Sequence, residues 1–275
     1  MAQLRQPLQN LLSQAHVAVQ AQQFAQAAEV LEQALAIDSD CLEAHLALAQ
    51  IRFPGKSYTE VLSLIHESLQ PATYVEIGVA SGKSMVLARG DCRRVGIDPA
   101  PALKVALSPA VQIFQMTSGA FFADCRLDEI LGGAPVALGF IDGMHLFENV
   151  LEDFVNLERF CAPDGTLLVH DCLPLNPIVA SRKRHTRFWL GDVWRILPTL
   201  ARFRPDLRLS VIACAPSGLA VIRGLNPTSR VLKSEFENAL RYGAGVDFNV
   251  TTSLPSLGIE IVPSDWNVVS KLWRQ

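Results

Sequence analysis

Four residues near the middle of the chain have the types and spacing for proton and cation chemistry. They are Asp142 and His145 in ALGFIDGMH, and His170 and Asp171 in GTLLVHDC. Each pair closes a short apolar run that reads as a strand, and ligands of open α/β sheets bind beyond such carboxyl ends. Between the pairs, FENVLEDFVNLERF puts Phe147, Val150, Leu151, Phe154 and Leu157 on one helical face. A strand–helix–strand step of this length brings the two tips side by side. Two carboxylates at neighbouring tips suit a hard divalent cation that keeps some of its water. Such an ion would polarise a substrate hydroxyl so that a nearby base can take the proton. A neutral imidazole near pH 7 matches the base's task. Taken singly, the same residues read more plainly as turn-forming aspartates and hydrogen-bonded histidines.

A second constellation lies upstream. In YVEIGVASGKS an apolar run leads to Glu76, Gly78 and Gly82, and the next apolar run closes on Asp98 in VGIDPAP. The first glycine lets the backbone turn sharply beneath a ligand, and the second lets helix and loop approach closely. A carboxylate about 20 residues on can hold both hydroxyls of a ribose. The spacing is E-x-G-x-x-x-G, not the G-x-G-x-x-G of dinucleotide turns. Thr117 and Ser118, in QMTSGAFFAD, open a helix after the third strand. Their hydroxyls either reach an adenine edge or serve as an ordinary N-cap.

The glycine turn resembles motif I of class I S-adenosylmethionine (SAM) methyltransferases. That resemblance implies a SAM site built from Glu76, Gly78, Gly82 and Asp98, with Thr117 and Ser118 at the base. FIDGMH followed by LLVHD resembles the subgroup that includes sugar and macrolide-sugar O-methyltransferases and cephalosporin-tailoring enzymes. Over about residues 58–224 it implies Asp142 and Asp171 as ligands of Mg²⁺ or Mn²⁺, and His145 as general base. His170 stands where some members carry an acidic ligand, so it is either a third ligand or a residue that orients a neighbour. Imidazole favours Mn²⁺ or another transition metal over Mg²⁺. Cys172 stands where catechol-type relatives have asparagine. The implied reaction is metal-assisted methylation of a hydroxyl on a sugar, glycoconjugate or natural product, with a small molecule or glycan as acceptor.

These residues need a sheet to position them. From Ala72 on, strand and helix patterns alternate, which predicts a mostly parallel sheet covered on both faces. Strands are expected at 73–78, 93–98, 110–115, 136–142, 165–170, 208–214 and 218–223, and helices near 82–89, 119–130, 146–160 and 192–202. The resemblance implies a seven-stranded Rossmann-like methyltransferase sheet whose last strand is antiparallel, spanning residues 57–225. The tail, 226–275, opens with a helix and then reads as irregular, anchored by Trp266 and Trp273 and packed on the core.

Residues 1–56 differ in style. QQFAQAAEVLEQALAIDSDCLEAHLALAQ is rich in Ala, Gln and Leu, and it resembles about one and a half tetratricopeptide repeats, hence a short all-α helical hairpin. Such a unit cannot bury its own apolar face and must dock on the core, a second copy or a protein partner. An adaptor built on a vestigial methyltransferase fold is therefore the alternative to an enzyme. After the fifth strand, SRKRHTRFWLGDVWR sets Arg182, Lys183, Arg184 and Arg187 beside Trp189 and Trp194, a loop that is either solvated or able to close on an anionic substrate.

The chain's 275 residues are about half apolar with a net charge of −3, which points away from nucleic acid. Six cysteines fall singly with no metal-ligand spacing, as expected of reduced thiols in a cytoplasmic protein. No apolar run reaches membrane-spanning length, and no secretory leader is evident in MAQLRQPLQNLLSQAH.

Overall fold

The computed structural model describes residues 2–88 and 90–274. Its first three helices are α1 (Ala2–Gln20), α2 (Phe24–Ile37) and α3 (Leu42–Arg52). The expected hairpin is thus three helices. Small residues let the backbones approach, and Ala15, Ala28, Leu31, Ala34, Ala44 and Leu48 form their shared core. Their far side leaves an apolar groove of about 470 Å³, walled by Leu12, Val19, Phe24 and Ile51.

Residues 53–57 carry the chain into α4 (Tyr58–Leu69), which starts at a reciprocal cap: the Ser57 hydroxyl accepts from the Glu60 N–H while the Glu60 carboxylate accepts from the Ser57 N–H. This linker is pinned. Tyr58 N–H donates to the Ala215 carbonyl (2.9 Å), and Ser264 Oγ donates to the Pro54 carbonyl (3.1 Å).

The strands are β1 (Thr73–Ile77), β2 (Arg93–Ile97), β3 (Val111–Phe114), β4 (Val136–Ile141), β5 (Cys161–His170), β6 (Arg208–Ala213), β7 (Leu219–Arg223) and β8 (Glu260–Pro263). They form one sheet in the order β3-β2-β1-β4-β5-β7-β6-β8, in which β7 alone runs against the others. The seven expected strands are present, and the count is corrected to eight. The additional strand comes from the tail, where only Val262 of EIVP is buried, so no apolar run announces it.

Between β3 and β7 lie α5 (Ser118–Asp124), α6 (Leu127–Ile130), α7 (Phe147–Glu158) and α8 (Ile196–Phe203). The expected helix over 119–130 is broken at Cys125, which is extended. The expected helix over 82–89 is a single 3₁₀ turn at Met85–Leu87, and Arg89 lies outside the described residues. Gly82 and Gly90, both at positive φ, leave fewer than two helical turns between them. Ser84 is also drawn inward to Glu76, and Ala88 is extended. In the tail, α9 (Val231–Ser234) and α10 (Phe236–Gly245) precede β8.

Helices cover both faces. Phe121, Leu127, Phe147, Phe154 and Leu197 pack on one. On the other, Val61, Leu62 and Ile65 of α4 meet Tyr74, Phe140 and Leu168, with Trp266 and Trp273 partly buried beside them. All six cysteines are unpaired. No helix among the described residues is long and apolar enough to cross a membrane.

Candidate active site

The strand order reverses between β1 and β4, and a cavity of about 500 Å³ opens over their carboxyl ends, where the crevice of such sheets lies. Its walls include Gly78, Ala80, Asp98, Thr117, Ser118, Asp142 and His145.

The turn after β1 is built from main chain. Gly78 has φ +92°, and a Cβ there would run into the Asp142 carbonyl. Only glycine fits. Asp98, at the tip of β2, accepts from Ala80 N–H (2.7 Å) and Ala100 N–H (2.7 Å), one per carboxylate oxygen. Each oxygen keeps a second acceptor position for a ligand hydroxyl.

Two of the expected cofactor residues do not line the cavity. Glu76 is fully buried beneath the turn, where Tyr74 Oη (2.8 Å) and Ser84 Oγ (2.5 Å) donate to it. Burial outweighs those two bonds and pushes its carboxyl up to about 8. Gly82 lies under Leu103 and Val105. Thr117 caps α5 by accepting from Ala120 N–H (3.2 Å) while its residue also faces the cavity. Ser118 bonds the buried Asp153 of α7, whose carboxyl burial raises to about 7.

At the other end the two acid–histidine pairs meet. His170 Nδ1 lies 3.3 Å from Asp142 Oδ1 and 3.3 Å from Asp171 Oδ1. His145 Nδ1 lies 3.0 Å from Asp171 Oδ2 and 3.2 Å from the Trp189 carbonyl, with Nε2 3.5 Å from Asp142 Oδ1. Ser217 Oγ donates to Asp171 Oδ1 (2.5 Å) and sits 3.2 Å from His170 Nε2. Asp142 and His145 face the cavity; His170 and Asp171 stand behind them, buried. His145 (φ +58°) and Asp171 (φ +62°) both have left-handed backbones, a strain that persists only where surroundings enforce it. Gly191 is part of that enforcement, because it packs directly on the His145 carbonyl.

Burial would depress both imidazoles, but the Asp171 and Asp142 carboxylates outweigh it. They raise His145 to about 11 and hold His170 above its ordinary value. Burial would likewise raise Asp142, yet His170 and His145 keep it well below the usual carboxylate range. Two carboxylates and two imidazolium rings thus neutralise one another. The neutral base expected of His145 is, in this arrangement, a cation.

Asp142, His170 and Asp171 can each offer one ligand atom to a cation, all within 4.8 Å of one another. Two carboxylates and an imidazole fit a divalent transition metal better than Mg²⁺. The His170 Nδ1 that faces both carboxylates is the atom that would ligate, so the donor set fits.

Sequence reasoning missed Ser217 and Tyr58. Tyr58 packs at a tilt on His170 with ring centroids 4.1 Å apart, and burial, then Asp142 and Asp171, push its phenol well above its ordinary value. Position was a signal for Ser217 alone, which follows the end of β6 at the sheet's carboxyl edge; Tyr58 opens α4 and had none. The basic loop is mostly paired. Arg182 binds Glu148 of α7, Arg187 binds Asp40 of the helical lead, and Arg184 lies over Trp189.

Residues 75–172 match a family model described as a methyltransferase domain, and residues 18–66 match a tetratricopeptide-repeat model. Among solved structures, the chain is similar to the O-methyltransferase TomG of Streptomyces achromogenes (18% identity, covering 61% of this chain and 79% of that one, TM-score 0.48). It is similar too to an O-methyltransferase from Bacillus cereus (14%, 71% and 89%, 0.44) and to the Podospora anserina methyltransferase PaMTH1 (14%, 65% and 85%, 0.48). At these identities nothing about activity passes from those proteins to this chain. There is no significant match among curated proteins. Residues 75–172 thus carry a methyltransferase domain, and the family match, the glycine turn and the ligand-side carboxylate support a SAM-dependent methyltransferase enzyme.

Proposed function

We propose that this enzyme transfers the methyl group of SAM to a hydroxyl oxygen of a sugar, glycoconjugate or natural-product scaffold. The observation that carries the reading is the Asp142–His145–His170–Asp171 cluster, two of whose members line the same cavity as Gly78 and Asp98. When bound, SAM would supply an electrophilic methyl group, and a divalent cation on Asp142, His170 and Asp171 would supply Lewis acidity while drawing on the carboxylates that hold His145 protonated.

The chain's own residues do the rest. Asp98 holds ribose hydroxyls with its free acceptor positions, and Gly78 gives the ligand access to the backbone. Thr117 and Ser118 border the base. Glu76 acts from beneath, tying Ser84 and Tyr74 to the turn. His145, released from its carboxylates, accepts the acceptor's proton at the cavity lip. Much of the rate comes from aligning the oxygen with the methyl carbon.

His145→Ala tests this. It should lower kcat by about a hundredfold or more and leave SAM affinity within about twofold. A variant with wild-type turnover removes His145 from the reaction. Titration with SAM and NAD in parallel separates this reading from a dinucleotide enzyme, and a sugar-hydroxyl panel with EDTA, Mg²⁺ or Mn²⁺ tests acceptor and metal together.

The groove of the helical lead, with Phe24 and Val19 exposed on its wall, supports a second role for residues 1–56 as a seat for a protein partner or a second copy. Light scattering of the purified chain distinguishes those two occupants.

A further inference from the structure

We propose that Asp40, on the turn between α2 and α3, is a positioning residue for His145 that acts through Arg187 and Trp189; this rests on the reading of His145 given above. Asp40 lines no part of the cavity. It makes three bonds to one residue of the loop that follows β5. Its Oδ1 accepts from Arg187 N–H (2.5 Å), its Oδ2 from Arg187 Nε (3.0 Å), and its carbonyl from an Arg187 Nη (2.9 Å). Both the backbone and the side chain of Arg187 are fixed.

The next residue is held from the same side. Phe188 stacks on the buried His45 of α3 (5.2 Å between centroids, 26° between planes), and His45 Nε2 is itself 3.0 Å from the Ser39 carbonyl. Leu175, from the start of the same loop, packs both against the core of the helical lead and against Val179, Phe188 and Leu190.

Trp189 then faces the site. Its ring stacks on His145 (5.5 Å, 17°), its carbonyl lies 3.2 Å from His145 Nδ1, and its indole N–H donates to the Ser181 carbonyl (2.6 Å). The His145 backbone is left-handed and depends on such neighbours to stay so. The contact route is therefore continuous: Asp40 sets Arg187, Arg187 and His45 set Phe188 and Trp189, and Trp189 sets the plane of the imidazole. A simple docking contact between helical lead and core would need none of the last step.

The Asp40–Arg187 pair is exposed on both sides, so its direct contribution to stability is small. That separates positioning from folding. The test uses the full chain and three variants: Asp40→Ala, Arg187→Ala and the double substitution. The first readout is the ¹H–¹⁵N signals of the His145 ring, identified by their loss in His145→Gln. The second is SAM affinity, and the third is kcat with whichever acceptor the panel yields.

Asp40→Ala should shift the ring signals, keep SAM affinity within about twofold and lower kcat by about tenfold, as expected of a misplaced catalytic group. Arg187→Ala should do the same, and the double variant should be no worse than either alone. If Asp40→Ala folds poorly, Asp40→Asn, which keeps an oxygen for Arg187 N–H, should give a smaller shift of the same signals in a stable chain. Unchanged ring signals in the substituted chains overturn the proposal, and so does a fall in kcat matched by a fall in SAM affinity. Because the ring signals need neither SAM nor acceptor, a wild type that binds no SAM would refute the methyltransferase reading while this route is still decided by the signals.

Discussion

The two ends of the cavity are built by different means. At the glycine-turn end the working parts are main chain. Gly78 clears the way, and Asp98 is locked by the N–H groups of Ala80 and Ala100, all within one contiguous stretch of sequence. At the histidine end the parts are side chains from separated places: Tyr58, the tips of β4 and β5, Trp189 and Ser217. Charge there is balanced within the group, and two backbones are held against their preference. The first end is fixed by covalent geometry and short loops. The second is fixed by mutual contact, so each member depends on the rest. A cofactor common to a whole class suits the former, and a variable acceptor suits the latter.

Substitutions can break that division or sharpen it. Gly78→Ala should break it with the largest effect, since its Cβ meets the Asp142 carbonyl and so strikes both ends at once. We expect a loss of about 3 kcal/mol or more in urea unfolding, with SAM binding abolished. Wild-type stability would show that the turn is not as tight as described.

Asp98→Ala should act on one end alone, weakening SAM by about thirtyfold, or about 2 kcal/mol, in calorimetry. Its counterpart is Gly191→Ala, whose Cβ would push on the His145 carbonyl. There stability should fall as in Gly78→Ala, because the clash with backbone is as close, while in the folded protein kcat drops by about tenfold and SAM affinity holds. The same loss of affinity in both variants would mean that the two ends are one unit.

Glu76→Gln should have the least effect on the reaction and a clear effect on stability against pH. The folded carboxyl keeps its proton up to about pH 8, whereas the unfolded chain releases it above its ordinary value of 4.5. The contribution of Glu76 is therefore complete below 4.5 and is lost as pH rises through 8. Glutamine cannot ionise, so the variant should lose less stability than wild type between pH 5.5 and 8.5, by on the order of a kcal/mol or more. Parallel melting curves at the two pH values would refute the protonated Glu76.

The same division explains what the sequence made legible. The glycine turn, Asp98 and the positions of the first seven strands follow from apolar runs and local spacing, whereas the antiparallel seventh strand was implied by the family resemblance. The aspartate–histidine pairs were visible because each sits at a strand tip. Their partners were not: Ser217 meets Asp171 across 46 positions, and Trp189 meets His145 across 44. The hold of two carboxylates on His145 was not legible, because they converge on it from different strands. The basic loop looked free to take an anion because Asp40, which binds Arg187, lies 147 positions away. Ser84 looked like part of a helix until its hydroxyl found Glu76. In all but the last of these a long-range contact overrode a local pattern.

The pinned linker also has a consequence in time. The three helices precede the residues that seat them: Arg187, which holds Asp40, follows 147 positions behind it, and Ser264, which holds Pro54, follows 210 positions behind. At about 5–20 residues per second, that gap lasts roughly 10 to 40 s. Until the loop that carries Leu175, Arg187 and Phe188 emerges, the face of the lead that meets it has no such neighbour. Nascent copies of this protein should therefore be clients of a chaperone chiefly through residues 2–52, and the hold should weaken when that loop docks and end when β8 joins the sheet.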